Sequence, residues 1–207
     1  MNVNDLIAFA LVSLMMVLSP GPNMIYLISR SISQGKKAGL ISLLGVGCGF
    51  FIYMLLSALG ITAVLFKLPY LYQVIQILGA LYLFWLAWNA LKPNAQSIFE
   101  VQNIHQDTPI KLFNMGLITN LLNPKIALMY LALLPQFINL KYSIFWQSVS
   151  LGFIQIFISL TVNGLIVLSA AKIALFLQQN MAWAKVQKYL MGLVLIVLAI
   201  KILLEQH

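Results

Sequence analysis

The residues with the most capacity for chemistry lie where a helix cannot run on undisturbed. Ser19-Pro20-Gly21-Pro22-Asn23 interrupts the first apolar stretch, and Asn120-Leu121-Leu122-Asn123-Pro124-Lys125 interrupts the fourth. A proline inside a helix removes one backbone donor, and its ring crowds the carbonyl one turn back, so a break is predicted at each place. In an apolar solvent a freed backbone group is tolerated only against protein or a wet cavity, which makes both breaks candidate binding sites. Asn23, Asn120 and Asn123 add amides that donate and accept. Lys125 is the one basic residue well inside a predicted span, where a charge costs at least about 2.5 kcal/mol on insertion scales. A lysine beside free N–H groups at a broken helix suits a carboxylate ligand. The candidate binding residues are therefore Pro20, Gly21, Pro22, Asn23, Asn120, Asn123, Pro124 and Lys125. The plainer alternative is a pair of ordinary proline kinks, with Lys125 snorkelling to an interface.

Other polar residues carry less. Gln155, Ser159 and Asn163 recur every four residues and either line a path or bond between helices. Gly45 with Gly49, and Gly116 with Asn120, are spaced for close helix packing. Trp85, Trp88, Trp146 and Trp183 suit the two membrane interfaces. All four acids, Asp5, Glu100, Asp107 and Glu205, fall in loops or near the ends, which argues against a buried carboxylate relay and against a midplane metal site. His105 and His207 lie outside the spans, so no metal is expected. Cys48 is the only cysteine; it excludes an intrachain disulfide or dithiol chemistry and reads as a packing residue. With no acid and base paired inside the spans, neither enzymatic activity nor a cofactor is expected.

These residues need apolar elements to position them. Of 207 residues, 62% are apolar and only 8% charged, against about 25% charged in a soluble domain, so the chain lacks the polar surface to face water. Apolar runs near residues 5–28, 40–65, 70–91, 112–137, 144–171 and 184–204 predict about six transmembrane helices, each able to cross a core of about 30 Å. The runs are continuous and lack the alternation of a membrane barrel, so the fold class is an all-α integral membrane protein. The N-terminus has no basic leader region and reads as a retained first helix. The polar stretch 92–111 reads as a linker between halves of about 1–91 and 112–207, together a single transmembrane domain, and part of 172–188 reads as an interfacial amphipathic piece. Three spans followed by three set the halves in opposite orientations, and a broken first helix in each is the mark of an inverted-repeat transporter with its site near the midplane.

The net charge of +8 comes from basic residues scattered through the loops. With six spans, Arg30, Lys36, Lys37, Lys92, Lys111, Lys172, Lys185 and Lys188 share one side, and Lys67, Lys141 and Lys201 the other. This bias places the first set in the cytoplasm and both termini outside. No run of basic residues suggests nucleic acid.

At the two breaks the chain resembles the LysE/RhtB family of amino-acid exporters, which carries an SPGPN-like break in its first helix and an NPK element in its second half. Both stand intact here, at Ser19 to Asn23 and Asn123 to Lys125, with further matches at Gly35 to Leu40 and Leu78 to Leu83. The resemblance covers nearly the whole chain. It implies a six-helix inverted repeat in the bacterial inner membrane that exports amino acids or close derivatives with the proton gradient as driving force. The absence of a carboxylate within the spans leans toward neutral substrates. The expected partners are the amino acid and the lipid bilayer; a homo-oligomer is compatible with the sequence. A transporter of another small solute or inorganic ion on a similar scaffold is the alternative, disfavoured by the lack of internal Asp, Glu and His.

Overall fold

A computed structural model of the chain describes residues 3–19, 21–61, 68–92, 106–179 and 181–204, and all regular structure among them is helical. Helix α1 (Val3–Leu18) meets α2 (Pro22–Gln34) at 53°. Gly35, at φ 86°, turns the chain into α3 (Lys36–Leu56), in the left-handed region where a side chain would be strained. α3 passes into a wide π turn, Ser57–Ile61, kinked at Gly60. Then follow α4 (Pro69–Leu91), α5 (Pro109–Leu121) and α6 (Pro124–Leu128). A π turn (Met129–Leu133) and a 3-10 turn (Leu134–Phe137) prolong α6, and α7 (Ile144–Gln179) and α8 (Met181–Leu204) complete the order. Prolines open α2, α4, α5 and α6, where the missing N–H is one the helix would leave unpaired anyway.

Three stretches, Lys36–Gly60, Tyr70–Asn89 and Ile144–Ala170, are long and apolar enough to cross a membrane alone. The bent pairs α1–α2 and α5–α6, the latter bent by 50°, bring the number to as many as five. α8 adds a shorter apolar segment, Gly192–Leu204. Polarity is arranged for lipid. Leu44, Leu81 and Phe157 are 66%, 59% and 73% exposed on the outside, while Ser42, Asn120 and Ser159 are fully buried. The rest of the interior is largely apolar, with Phe9, Leu27 and Leu195 fully buried, so it is the apolar outer surface that marks a lipid-facing fold.

Interior packing explains the glycines. A Cβ on Gly45 would lie 2.0 Å from the Phe113 carbonyl oxygen, and one on Gly116 would lie 2.2 Å from that of Ser42, so α3 and α5 touch backbone to backbone as their spacing predicts. Gly49 gives the same room to the Asn120 amide.

Contacts also sort the helix ends. Phe9 meets Phe137 edge-on at 5.2 Å, and the Lys201 ammonium lies 5.2 Å over that ring, so the start of α1, the turn after α6 and the end of α8 gather at one end. At the other, Ser31 Oγ donates to the Val167 carbonyl at 2.5 Å and Arg30 reaches Asp107; the middle of α8, at Gly192, packs on Leu91 at the end of α4.

Several expectations change. The first span runs on to Gln34 and the fifth helix to Gln179, and the described residues of 172–188 belong to the ends of α7 and α8. Cys48 is exposed on α3, one turn beyond outward-facing Leu44, and is not a packing residue. Trp85, Trp88 and Trp146 point outward. Residues 93–105 of the linker, with Glu100 and His105, lie outside the described residues, as do Pro20, Lys67, Glu205, His207 and the Trp183 side chain.

Candidate functional site: two broken helices joined by a lysine

At the first break the helix runs out of donors. Met16 O would bond the N–H of residue 20 and Leu18 O that of residue 22, but both positions are proline. Ser19 folds back, its N–H reaching Met15 O at 3.1 Å and its Oγ reaching Met16 O at 2.7 Å. α2 then restarts, with Ile25 N–H on Gly21 O at 3.0 Å. At the second break Asn123 N–H bonds Asn120 O at 3.1 Å, and Asn123 caps α6, its Oδ1 accepting from Lys125 N–H at 3.0 Å.

The two breaks meet through Lys125. Its ammonium lies 2.6 Å from Ser19 O, 2.9 Å from Met16 O and 3.3 Å from Ser19 Oγ, so its three hydrogens all find acceptors at the end of α1. The lysine replaces the donor that proline 20 denies to Met16 O and also serves Ser19 O at the end of the helix. Gly21 lets it through: a Cβ there would stand 3.0 Å from Lys125 Cε and Nζ. Gly21 itself is extended, with φ −169°, so glycine is required by space and not by backbone angle.

Beside this junction is a cavity of ≈ 20 Å³. Its polar wall is Asn23, Lys125, Gln155 and Asn163; the rest is Met16, Val17, Met24, Phe50, Ile126 and Met129. Such a volume holds about one water and is too small for an amino acid, so a solute enters only if the walls part. The polar groups differ in readiness. Gln155 Oε1 accepts from Tyr130 Oη at 2.9 Å and its Nε2 donates to Ser159 Oγ at 2.8 Å, while Asn163 Nδ2 donates to Ser159 O at 2.8 Å. Asn23 is buried at 5% exposure with neither amide atom partnered. An unpaired buried amide costs about 1–3 kcal/mol, which a ligand or a water would recover.

Of the eight residues expected from sequence, Asn23 and Lys125 line the cavity. Gly21 flanks the Lys125 stem, Pro22 and Pro124 start α2 and α6, and Asn123 caps α6. Asn120 packs on Gly49, fully buried with its amide unpartnered, and is not part of the cavity wall. Pro20 lies outside the described residues. Gln155 and Asn163 join the wall, and their spacing of eight residues on α7 was the signal for a shared face. The cavity methionines had no such signal, because methionine at helical spacing is also ordinary core.

A second polar cluster ties α2 to the start of α5. Asp107 pairs with Arg30, accepts from Gln34 Nε2 at 3.0 Å, returns its N–H to Gln34 Oε1 at 2.8 Å and meets Lys111 Nζ at 2.5 Å. The Lys111 and Gln34 hydrogen bonds, with the Arg30 charge beyond them, hold the carboxyl below its ordinary range.

A family profile described as LysE type translocator matches residues 14–206, nearly the whole chain and both breaks. The chain belongs to this family. Among its relatives is the uncharacterized membrane protein YrhP of Bacillus subtilis (strain 168), 30% identical over 160 residues that make up 72% of this chain and 75% of that protein. The threonine efflux protein of Escherichia coli (strain K12) is 31% identical over 125 residues, 58% of this chain and 60% of that one. No solved structure matches the chain.

Proposed function

We propose that this translocator exports neutral amino acids from the cytoplasm across the bacterial inner membrane, energised by the proton gradient, through six spans arranged as two inverted three-helix repeats. The observation that carries the reading is the junction at which Lys125 of the second break satisfies the carbonyls of the first, with the unpaired Asn23 amide on the same cavity. A fixed positive charge with no acid among the cavity-lining residues favours the carboxylate end of a zwitterion. In the closed arrangement the Lys125 hydrogens are spent on Met16 and Ser19, so the charge attracts at short range and Asn23 offers the open donor and acceptor. The family and the threonine efflux relative support an amino acid over an inorganic ion.

The test is counterflow of labelled amino acids in proteoliposomes, with and without a pH gradient. Neutral amino acids are expected to exchange, and an outward-directed flux to collapse with a protonophore. Lys125→Met retains the stem and removes the charge; it is expected to cut exchange at least tenfold per folded molecule. Wild-type exchange in that variant would remove Lys125 from the mechanism, and failure of the wild-type protein to exchange any amino acid would reject export itself.

A further inference from the structure

We propose that the carbonyls of Met16 and Ser19, with Ser19 Oγ, form the subsite for the α-ammonium of the exported amino acid, and that Lys125 fills it as a tethered substitute until substrate arrives. This rests on the exporter reading and deepens it, giving a partner to the end of the substrate that Lys125 and Asn23 leave unmatched.

The bound lysine shows what these oxygens accept. A primary ammonium has three hydrogens and no acceptor, and here it meets three oxygens, Ser19 O at 2.6 Å, Met16 O at 2.9 Å and Ser19 Oγ at 3.3 Å. The α-ammonium of an amino acid offers the same three donors on a tetrahedral nitrogen. The oxygens lie at the C-terminal end of α1, where the helix dipole is negative and the carbonyls of a broken helix can hold a cation.

The lysine is also free to give up its place. All its partners are neutral and no carboxylate lines the cavity, so no ion pair has to break when it leaves. A zwitterion makes that departure favourable. Its carboxylate draws Lys125 toward the unpaired Asn23 amide on the same wall, and its ammonium takes the oxygens that the lysine vacates. One ammonium rests on the three oxygens before and after this exchange, and the lysine gains a charge-assisted bond to a carboxylate. The net charge of the site is unchanged. A ligand lacking the carboxylate would leave Lys125 without an acceptor, and one lacking the ammonium would leave the oxygens bare, each a buried polar group with no partner. The closed cavity of ≈ 20 Å³ admits no amino acid, so the exchange accompanies the parting of its walls.

The subsite is tested by emptying it. Lys125→Ala removes the side chain from Cγ to Nζ, and propylammonium replaces the atoms removed. Thermal unfolding of the variant in detergent is measured with propylammonium, tetramethylammonium or potassium chloride at equal ionic strength. Propylammonium is expected to raise the Tm of Lys125→Ala by about 3 °C or more and to leave the wild-type protein unchanged, because only a vacant subsite can bind it. No shift, or an equal shift with either of the other salts, would overturn the subsite. The substrate's part is read with wild-type protein in proteoliposomes, using the labelled neutral amino acid that exchanges fastest, inhibited by the same amino acid and by its 2-hydroxy analogue, in which a hydroxyl stands for the ammonium. The analogue is expected to compete on the order of a hundredfold more weakly, and Ser19→Ala, which removes one acceptor, to shrink that ratio severalfold. This measurement does not depend on recovering Lys125→Ala in folded form. An analogue that competes as well as the amino acid, or a ratio unchanged in Ser19→Ala, would overturn the inference while leaving export intact. Failure of every amino acid to exchange would reject export and the substrate's part with it, whereas the Tm shift would still decide whether these oxygens bind an ammonium.

Discussion

Lys125 shows how a costly residue becomes useful. Its ammonium sits among apolar spans, yet the carbonyls of Met16 and Ser19 solvate it; Met16 O lacks its helical donor because position 20 is proline, and Ser19 O stands where the helix has ended. Charge and break each remove a penalty the other carries. Gly21 is the spacer of this exchange. A methyl group placed there would press on Lys125 Cε and Nζ at 3.0 Å, closer than ordinary van der Waals contact, and the lysine tip cannot retreat without lengthening its bonds to Ser19 and Met16. Gly21→Ala is therefore expected to leave the protein inserted and folded, since its extended backbone suits any residue, but to lower amino-acid counterflow severalfold. Gel filtration in detergent together with initial exchange rates checks this; unchanged rates would mean that Lys125 has room to move. The sequence made both breaks legible, because proline and glycine act locally. It could not show that Lys125 reaches back 109 residues to Met16, nor that Asn120 turns to Gly49 and away from the cavity, because those depend on how α3, α5 and α1 pack.

At the scale of elements, α2 is held at both of its ends. Its start carries Asn23 and Met24 to the cavity, and its last two turns carry Arg30 and Gln34 to Asp107. Residues 23, 30 and 34 lie near one helix face, so the polar cluster sits about 10 Å along the helix from the cavity. Asp107 and Lys111 stand just before and within the first turn of α5, making this contact a clamp between α2 and α5. The Asp107 carboxyl titrates below its ordinary value of 3.8, because its charged form is bonded by Lys111 and Gln34 and faced by Arg30. A carboxyl depressed in the folded state adds stability that is fully present above the unfolded value and is lost as pH falls through the lower folded value. The contribution of this group is thus constant from about pH 5 upward and fades below about pH 4. Thermal unfolding of the detergent-solubilised protein should show a drop in Tm across that lower window, and the drop should be smaller in Asp107→Asn, whose Tm at neutral pH should already be reduced. Identical acid profiles for the two proteins would show that the clamp adds nothing to stability. Spacing offered no hint of this clamp, since Arg30 and Asp107 are 77 positions apart and looked like separate loop charges. The long apolar helices were legible, by contrast, because continuous hydrophobicity is a property of the segment alone.

Across the whole molecule, the ends that the contacts define bear on how it sits in the membrane. Phe9, Phe137 and Lys201 meet at one end, close to the first and last described residues; Arg30, Gln34, Asp107 and Val167 mark the other. The six spans proposed above require the first and last helices to return to one end, as α1 and α8 do at these contacts. α8, with 24 residues, is about 36 Å long, enough for the sixth crossing of that reading. Arg30, Lys36, Lys37, Lys92 and Lys111 all flank the second end, where the chain passes from α2 to α3, leaves α4 and enters α5. Basic residues are retained in the cytoplasm, so that end is expected to face inward and both termini to face the periplasm. Reporter fusions that are active only on one side of the membrane test this. An alkaline phosphatase fused after His207 should be active and a green fluorescent protein there dark, with the opposite pattern for insertions in the stretch 93–105. A fluorescent C-terminal fusion would mean that α8 does not cross, which would leave five crossings and undo the pairing of halves on which the inverted repeat depends.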